Sequence, residues 1–151
     1  MVTATIHPLL LINTVMDPEI PVVSVWDLGI VRSVETEGRR VIVTITPTYS
    51  GCPAMDTIRS EIVATLAEHG YEADIRTVYS PAWTTDMISP VGRRLLGEIG
   101  IAPPGSASEA LCPRCKSDNT RVVSEFGSTA CKALMVCSSC QEPFDLFKEL
   151  N

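Results

Sequence analysis

Four cysteines near the end of the chain form two Cys-x-x-Cys pairs, Cys112 with Cys115 and Cys137 with Cys140. Twenty-one residues, 116–136, separate the two pairs. Two thiols that are two residues apart can ligate one cation, and a hairpin can return the second pair to complete a tetrahedron. The spacing therefore predicts one four-thiolate metal site, suited to zinc or to iron.

Disulfide pairing is the alternative for these cysteines. The first Lys or Arg of the chain is Arg32, so no charged segment precedes the short apolar run at 9–12, and no export signal is indicated. No segment reaches the roughly 18 uninterrupted apolar residues that cross a bilayer. Because cytoplasmic thiols are normally kept reduced, we expect a cytoplasmic protein that is not bound to a membrane, with a metal site rather than disulfides.

A further cysteine, Cys52, lies in the segment Thr48–Pro53 between a predicted strand and a predicted helix. Its position is the expected N-cap, with Pro53 as the first helical residue. Unpaired N–H groups and the positive end of the helix dipole stabilise a thiolate there, which favours a nucleophile or a metal ligand. The alternative is a small buried residue that fills a tight turn. Position alone leaves both interpretations open.

Three carboxylates, Asp17, Glu19 and Asp27, lie in predicted loops. Such side chains can bind a cation, contact a partner or accept hydrogen bonds from nearby backbone amides. Asp before Pro and Asp close to Gly are also ordinary turn residues, and from the residues alone we favour that interpretation.

The sequence indicates no set of catalytic residues. The chain has two histidines, and His69 lies at the far end of the helix that begins near Cys52, about 25 Å away at 1.5 Å per residue. Within one subunit it cannot activate that cysteine. No Ser/His/Asp set, phosphate-binding glycine loop or nucleotide fingerprint is visible. We therefore expect an accessory protein and not an enzyme.

Hydrophobic periodicity and turn residues predict the elements that position these side chains. The pattern predicts a hairpin closed at Gly38 and an amphipathic helix that buries every fourth residue and stops at Gly70. The predicted elements are helix 9–15, strands 30–35 and 41–46, helix 53–69, strand 73–80 and helix 90–99. This order favours an α+β fold with a small mixed sheet covered by helices, followed by a four-cysteine zinc-ribbon-like domain.

We expect an α+β domain at 1–101, a linker at 102–111 that contains Pro-Pro and Gly-Ser, and the ribbon at 112–151. A unit of about 40 residues usually needs a metal or disulfides to fold. Residues 1–111 carry 7 Lys or Arg against 13 Asp or Glu, and residues 112–151 carry 5 against 5. A basic nucleic-acid surface is thus not indicated, and we expect protein partners.

Five segments together resemble the PaaD-like proteins of phenylacetate degradation, and the first domain is similar to the iron-sulfur cluster assembly family that includes SufT. The segments are Asp17-Pro18-Glu19, Asp27-Leu28-Gly29-Ile30-Val31, residues 46–53 with Gly51-Cys52-Pro53, residues 80–86 with Trp83, and Phe126 to Leu134. The resemblance runs through both domains. It implies a maturation factor for the ring epoxidase of phenylacetyl-CoA, with the [2Fe-2S] reductase component as the client.

The resemblance also implies roles for particular residues. Cys52 matches the Gly-Cys-Pro motif and would supply an exchangeable thiolate that handles a cluster transiently. Asp17 and Glu19 match the acidic motif and would shape the neighbouring surface. An adaptor or epoxidase subunit whose ribbon only docks proteins is the alternative function. A homodimer is left open.

The tail keeps further alternatives open. Four thiolates can hold zinc, one iron or an iron-sulfur cluster, and we favour zinc because Lys116 and Gln141 replace the glycine expected after each knuckle of a rubredoxin-like site. Cys131 is an additional ligand, a second exchangeable thiol or a packed residue. Three phenylalanines are expected to form the small core of the ribbon, namely Phe126, Phe144 and Phe147.

Overall fold

The computed structural model of the protein describes residues 6–48, 54–105, 110–127, 129 and 131–148. The chain forms two compact units, residues 1–83 and residues 84–151. Each unit contains its own small sheet, so the predicted α+β fold class is confirmed. The division into the predicted domains 1–101 and 112–151 stays a prediction.

The first unit contains a three-stranded mixed sheet. Strand β1 (Val31–Glu37) pairs antiparallel with β2 (Arg40–Ile45), and β2 pairs parallel with β3 (Glu72–Thr77). Glu37 lies opposite Arg40, so the hairpin turn is only two residues long, shorter than the predicted loop. Gly38 adopts a φ of 63° in this turn, which a residue with a side chain rarely adopts.

Two helices pack in the first unit. Helix α1 (Pro8–Ile12) begins after His7, whose Nδ1 accepts the Leu9 N–H at 3.2 Å. It ends earlier than predicted because the Thr14 and Val15 N–H groups bond carbonyls three residues back, those of Leu11 and Ile12. Helix α2 (Ala54–Glu68) connects β2 to β3, as a parallel pair requires. Its fully buried residues recur every fourth position, as predicted, at Ile58, Ile62 and Leu66.

Backbone and side-chain contacts fix the end of the first sheet at which β1 begins and β2 ends. The Thr46 N–H donates to the Ile30 carbonyl at 2.9 Å. The indole Nε1 of Trp83, which is 3% exposed, donates to the Leu28 carbonyl at 2.9 Å. Three of the segments that carry the family resemblance therefore meet at this end of the sheet.

The second unit begins with a short 3-10 helix (Thr85–Met87) and α3 (Pro90–Glu98). Ser89 caps α3, because its Oγ accepts the Gly92 N–H at 3.0 Å. A four-stranded sheet of order β4-β7-β6-β5 follows. Its strands are β4 (Ile101–Gly105), β5 (Thr120–Ser124), β6 (Lys132–Cys137) and β7 (Pro143–Lys148).

Strand β4 lies partly in the segment that was predicted to be a linker. Ala102 pairs with Leu146 and Gly105 with Lys148, while the register shifts between Ala102 and Gly105, where Pro103 and Pro104 stand. Proline donates no N–H to a ladder, but an edge strand with an irregular register tolerates it. Prolines that suggested an extended linker thus form the edge of the second sheet.

The core of the second unit lies around β6 and β7. Phe144 and Phe147 are 5% and 1% exposed, as predicted for core residues. The prediction for Phe126 was wrong, because its side chain is 67% exposed and the Lys148 Nζ lies 4.5 Å from the centre of its ring. None of the described helices is long and apolar enough to cross a membrane.

Candidate metal centre

The structure brings the four predicted cysteines together. Their sulfur atoms all lie within 4.8 Å of one another. Cys112 Sγ lies 3.7 Å from Cys140 Sγ, and Cys115 Sγ lies 3.6 Å from Cys137 Sγ. Four sulfurs bound tetrahedrally at 2.3 Å to zinc would be about 3.8 Å apart. The sulfur positions therefore fit one tetrahedral metal ion, and the cysteines are free of disulfides.

Two loops of the same backbone geometry hold the sulfurs, the first knuckle (residues 112–117) and the second knuckle (residues 137–142). In the first, the Lys116 N–H donates to the Cys112 carbonyl at 2.9 Å and the Cys112 N–H donates to the Ser117 carbonyl at 2.9 Å. In the second, the Gln141 N–H donates to the Cys137 carbonyl at 2.8 Å and the Cys137 N–H donates to the Glu142 carbonyl at 2.9 Å. The two loops therefore present their sulfurs in related ways.

Lys116 and Gln141 both adopt left-handed backbone conformations, with φ of 65° and 68°. These are the two positions at which a glycine was expected from the rubredoxin comparison. Each side chain donates to the carbonyl three residues before it, Lys116 Nζ to Pro113 at 3.2 Å and Gln141 Nε2 to Ser138 at 3.0 Å. The knuckle conformation is thus kept without glycine, and the absence of glycine does not argue against it.

Replacing Lys116 with glycine is expected to stabilise the metal-loaded protein by up to about 1 kcal/mol, because a side chain in the left-handed region costs about 1–2 kcal/mol and the greater freedom of glycine in the unfolded chain offsets part of this. Lys116→Ala keeps the backbone strain and loses the same side-chain contact, so it is the matched control and is expected to be slightly destabilising. Denaturant unfolding followed by circular dichroism measures both. A glycine variant no more stable than the alanine variant would contradict the prediction.

Burial differs among the four sulfurs. Cys112 and Cys137 are fully buried, Cys140 is half-buried and Cys115 is exposed. The sulfur of Cys112 accepts the N–H groups of Arg114 at 3.4 Å and Cys115 at 3.5 Å. The sulfur of Cys137 accepts the Cys140 N–H at 3.5 Å. Such hydrogen bonds stabilise a thiolate.

These contacts give the cysteine sulfurs different pKa values. The Cys140 N–H, with help from the Ser139 N–H, lowers the pKa of Cys137 to about 7. Burial raises the pKa of Cys112, but the N–H groups of Cys115 and Arg114 outweigh it and hold that pKa below its ordinary value. The Glu142 N–H lowers the pKa of Cys140, but burial and the three neighbouring sulfurs raise it to about 12. The raised pKa of Cys140 means that the cluster keeps a proton in the absence of a cation, and that metal binding would release it.

Cys131 does not belong to this group of four sulfurs. It lies just before β6, is 4% exposed, and its Sγ is 3.0 Å from the Thr129 Oγ1. A role as an additional ligand or exchangeable thiol stays a prediction.

Asp17 lies in a turn of the first unit and is 7% exposed. Its Oδ1 accepts the Glu19 N–H at 2.8 Å and the Ile20 N–H at 3.0 Å. These contacts agree with the turn interpretation of the acidic motif. Asp27 makes a similar local contact, because its Oδ2 accepts from Ser24 Oγ at 3.2 Å. Whether Asp17 and Glu19 also shape a functional surface stays a prediction.

Replacing Asp17 with alanine is expected to destabilise the first unit by about 1–2 kcal/mol, because the Glu19 and Ile20 N–H groups lose a side-chain acceptor, and Ile20 keeps the Asp17 carbonyl at 3.2 Å. Asp17→Asn keeps an acceptor oxygen and should lose less. Both tryptophans, Trp26 and Trp83, lie in the first unit, so tryptophan emission during urea unfolding reports on it directly. Equal losses in the two variants would show that the carboxylate charge, rather than the turn contact, is what matters.

The predicted cluster-handling cysteine, Cys52, lies outside the described residues, as do its neighbours at 49–51 and Pro53. Its proposed place at a helix N-cap therefore stays a prediction. The histidines lie where they serve local contacts: His7 caps α1, and His69 Nδ1 lies 3.0 Å from the Thr65 carbonyl after the end of α2.

Two family models match the chain. The model described as "Iron-sulfur cluster assembly protein" matches residues 9–78, and the model described as "PaaD zinc beta ribbon domain" matches residues 100–148. The second match contains all four cysteines of the metal centre.

Two similar proteins cover different shares of the chain. A protein of Escherichia coli (strain K12), named as a putative subunit of 1,2-phenylacetyl-CoA epoxidase, is 46% identical over 146 residues, which cover 91% of the chain and 88% of that protein. A "Fe-S protein maturation auxiliary factor" of Porphyromonas gingivalis (strain ATCC BAA-308 / W83) is 36% identical over 92 residues, 58% of the chain and 85% of that protein.

A solved structure shares the fold of more than half of the chain. The crystal structure of a domain of unknown function, DUF59, from Bacillus anthracis has a TM-score of 0.55 and 26% sequence identity. The match covers 60% of the chain and 88% of the solved domain. Fold and site thus define a protein in which an iron-sulfur cluster assembly domain precedes a four-cysteine zinc ribbon. With the similarity that extends over nearly the whole Escherichia coli relative, the chain belongs to the PaaD family.

Proposed function

We propose that the protein is a maturation factor for iron-sulfur clusters in aerobic phenylacetate degradation and assists assembly of the phenylacetyl-CoA epoxidase system. One observation supports this proposal most strongly. A single chain contains both a match to the iron-sulfur cluster assembly family and a match to the PaaD zinc ribbon, and it resembles a protein named as an epoxidase subunit. The [2Fe-2S] reductase component of the epoxidase is the proposed client. The protein itself acts as an accessory factor and not as an enzyme.

The four-cysteine centre would hold zinc as a structural ion through Cys112, Cys115, Cys137 and Cys140. The sulfur separations of 3.6 and 3.7 Å suit tetrahedral zinc, and the two fully buried sulfurs suit a closed site. Such an ion would supply four metal-sulfur bonds to a unit whose own core is small. The ribbon would then serve as a rigid surface for protein partners.

Cluster handling is proposed for the first unit, with Cys52 as the exchangeable thiolate and an iron-sulfur cluster as cargo. The motif that contains Cys52 follows β2 and precedes α2, where helix N–H groups would favour a thiolate. Asp17 and Glu19 would contribute to the surface nearby. A pool of reduced thiols is needed for both sites, and we therefore place the protein in the cytoplasm.

The second candidate function is a non-catalytic adaptor or subunit of the epoxidase complex whose ribbon docks partner proteins. The name of the Escherichia coli relative favours this candidate. The two functions differ in what the reductase lacks when the protein is missing. A maturation factor determines the cluster content of the reductase, whereas an adaptor determines only its association with the other subunits.

The deciding experiment produces the reductase component with and without this protein, followed by purification without oxygen. Iron, sulfide and visible absorption measure the [2Fe-2S] content per reductase. A maturation factor is expected to raise this content several-fold. Equal content in both samples would overturn the maturation proposal. Loss of the intact complex without this protein, when all epoxidase subunits are produced together, would support the adaptor.

A further inference from the structure

The metal centre is unevenly exposed. Cys112 and Cys137 are fully buried and accept backbone N–H groups, whereas the Cys115 side chain is exposed. A competing chelator must reach a metal-sulfur bond before it can replace it. The bond to Cys115 is therefore the one at which metal loss would begin. The rate of loss would then depend on how far the first knuckle can move from the second.

Two side-chain contacts join the knuckles independently of the sulfurs. Ser117 Oγ lies 2.9 Å from Ser139 Oγ, and Arg114 Nη1 donates to Glu142 Oε2 at 3.1 Å. In each contact one residue belongs to the first knuckle and the other to the second. We call these four residues the interknuckle clasp. Two of the four, Arg114 and Ser117, lie on the knuckle that carries the exposed sulfur of Cys115.

We propose that the interknuckle clasp determines how fast the centre releases its metal. When the bond from the metal to Cys115 breaks, the clasp keeps that thiolate within reach of the ion, and rebinding competes with capture by a chelator donor atom. A chelator that captures the ion replaces the four thiolates one by one, and the released thiolates take protons from water. Arg114, Ser117, Ser139 and Glu142 are positioning residues in this scheme. The inference rests on the proposed metal site and not on cluster handling.

The two contacts are expected to affect the rate of metal release to different extents. A hydrogen bond between the two hydroxyls contributes modestly, and its loss is expected to speed release about three-fold. The ion pair is exposed, with the Arg114 side chain 68% and the Glu142 side chain 39% accessible, and its loss is expected to speed release about two-fold. Because both contacts join the same two loops, about six-fold faster release is the upper limit for the combined variant, reached only if the two effects are additive.

The test uses the full chain loaded with Co²⁺, whose thiolate charge-transfer absorption reports metal still bound. Excess EDTA is added, and the decay is compared among the parent, Ser139→Ala, Arg114→Ala and the combined variant. Ser139→Thr keeps the hydroxyl and should restore the parent rate. Arg121→Ala removes another exposed arginine, on β5, and is the matched control for Arg114→Ala. Far-UV circular dichroism confirms that each variant is folded.

A second comparison isolates the hydroxyl pair. Ser117 Oγ also accepts the Asn119 N–H at 3.0 Å, so Ser117→Ala removes two contacts. In that background Ser139→Ala should have no further effect. Release rates equal to the parent in Ser139→Ala and Arg114→Ala, or an undiminished Ser139→Ala effect in the Ser117→Ala background, would overturn the clasp. Failure of the parent to bind Co²⁺ would instead overturn the proposed metal site.

Discussion

Replacing Cys115 with alanine is expected to abolish metal binding and to unfold the ribbon of the second unit. The Cys115 side chain is exposed, so the substitution removes little packing. It does remove one of four sulfurs that lie within 4.8 Å of one another. Apparent metal-binding free energies of structural zinc sites are on the order of 10 kcal/mol, far more than a small ribbon gains from its apolar core.

The matched control for this variant is Cys131→Ala. Cys131 is 4% exposed, but its sulfur does not belong to the group of four. If packing governed the ribbon, Cys131→Ala would be the more damaging change. If the metal governs it, Cys115→Ala is the more damaging change, and Cys131→Ala costs about 1–2 kcal/mol with the metal retained.

Metal content per chain and the dispersion of amide resonances from residues 112–148 measure the outcome. A folded ribbon in Cys115→Ala, with metal still bound at parent stoichiometry, would contradict the four-thiolate site. Metal analysis of the parent also identifies the ion: one zinc per chain without iron or sulfide supports a structural site, whereas iron with sulfide would place cluster chemistry in the ribbon.

Replacing Cys52 with serine is expected to leave both units folded and to reduce the cluster content of the reductase client to the level found without the protein. Serine has nearly the same size, but its hydroxyl is a much poorer ligand for iron than a thiolate. The expected effect is therefore confined to function. It follows from the proposed role of Cys52, whose motif lies between β2 and α2 in the sequence.

The experiment compares parent, Cys52→Ser and Cys131→Ala in the same co-production assay. Tryptophan emission reports on the first unit, and metal content reports on the ribbon. Loss of client cluster in Cys52→Ser alone supports transient handling of a cluster by this thiol. A fully loaded client in the presence of Cys52→Ser would reject that role and favour the adaptor.

Local patterns in the sequence predicted much of the first unit. The four-residue spacing of Ile58, Ile62 and Leu66 predicted the buried face of α2, and Gly38 predicted the hairpin turn. Both are determined by neighbours along the chain, through helical periodicity and through the φ that a tight turn needs. The spacing of the four cysteines predicted the metal centre for the same reason, because each knuckle is a local loop.

Other features depend on pairing between distant segments, which local patterns do not specify. Pro103 and Pro104 suggested a linker, but pairing of β4 with β7 makes them part of an edge strand. Phe126 and Phe144 are both aromatic residues of the ribbon, yet only Phe144 is buried. Phe144 lies on β7, which packs in the core, whereas Phe126 lies in the segment after β5, outside the strands.

The sequence by itself indicated which four cysteines form the candidate metal centre. Only the tertiary structure decided how unevenly the four sulfurs are exposed and that Ser117 and Arg114 contact Ser139 and Glu142 across the two knuckles. These properties arise when the hairpin of β6 and β7 places the second knuckle against the first. Contacts between residues 22 and 28 positions apart depend on strand register, which the spacing of residues within each loop does not specify.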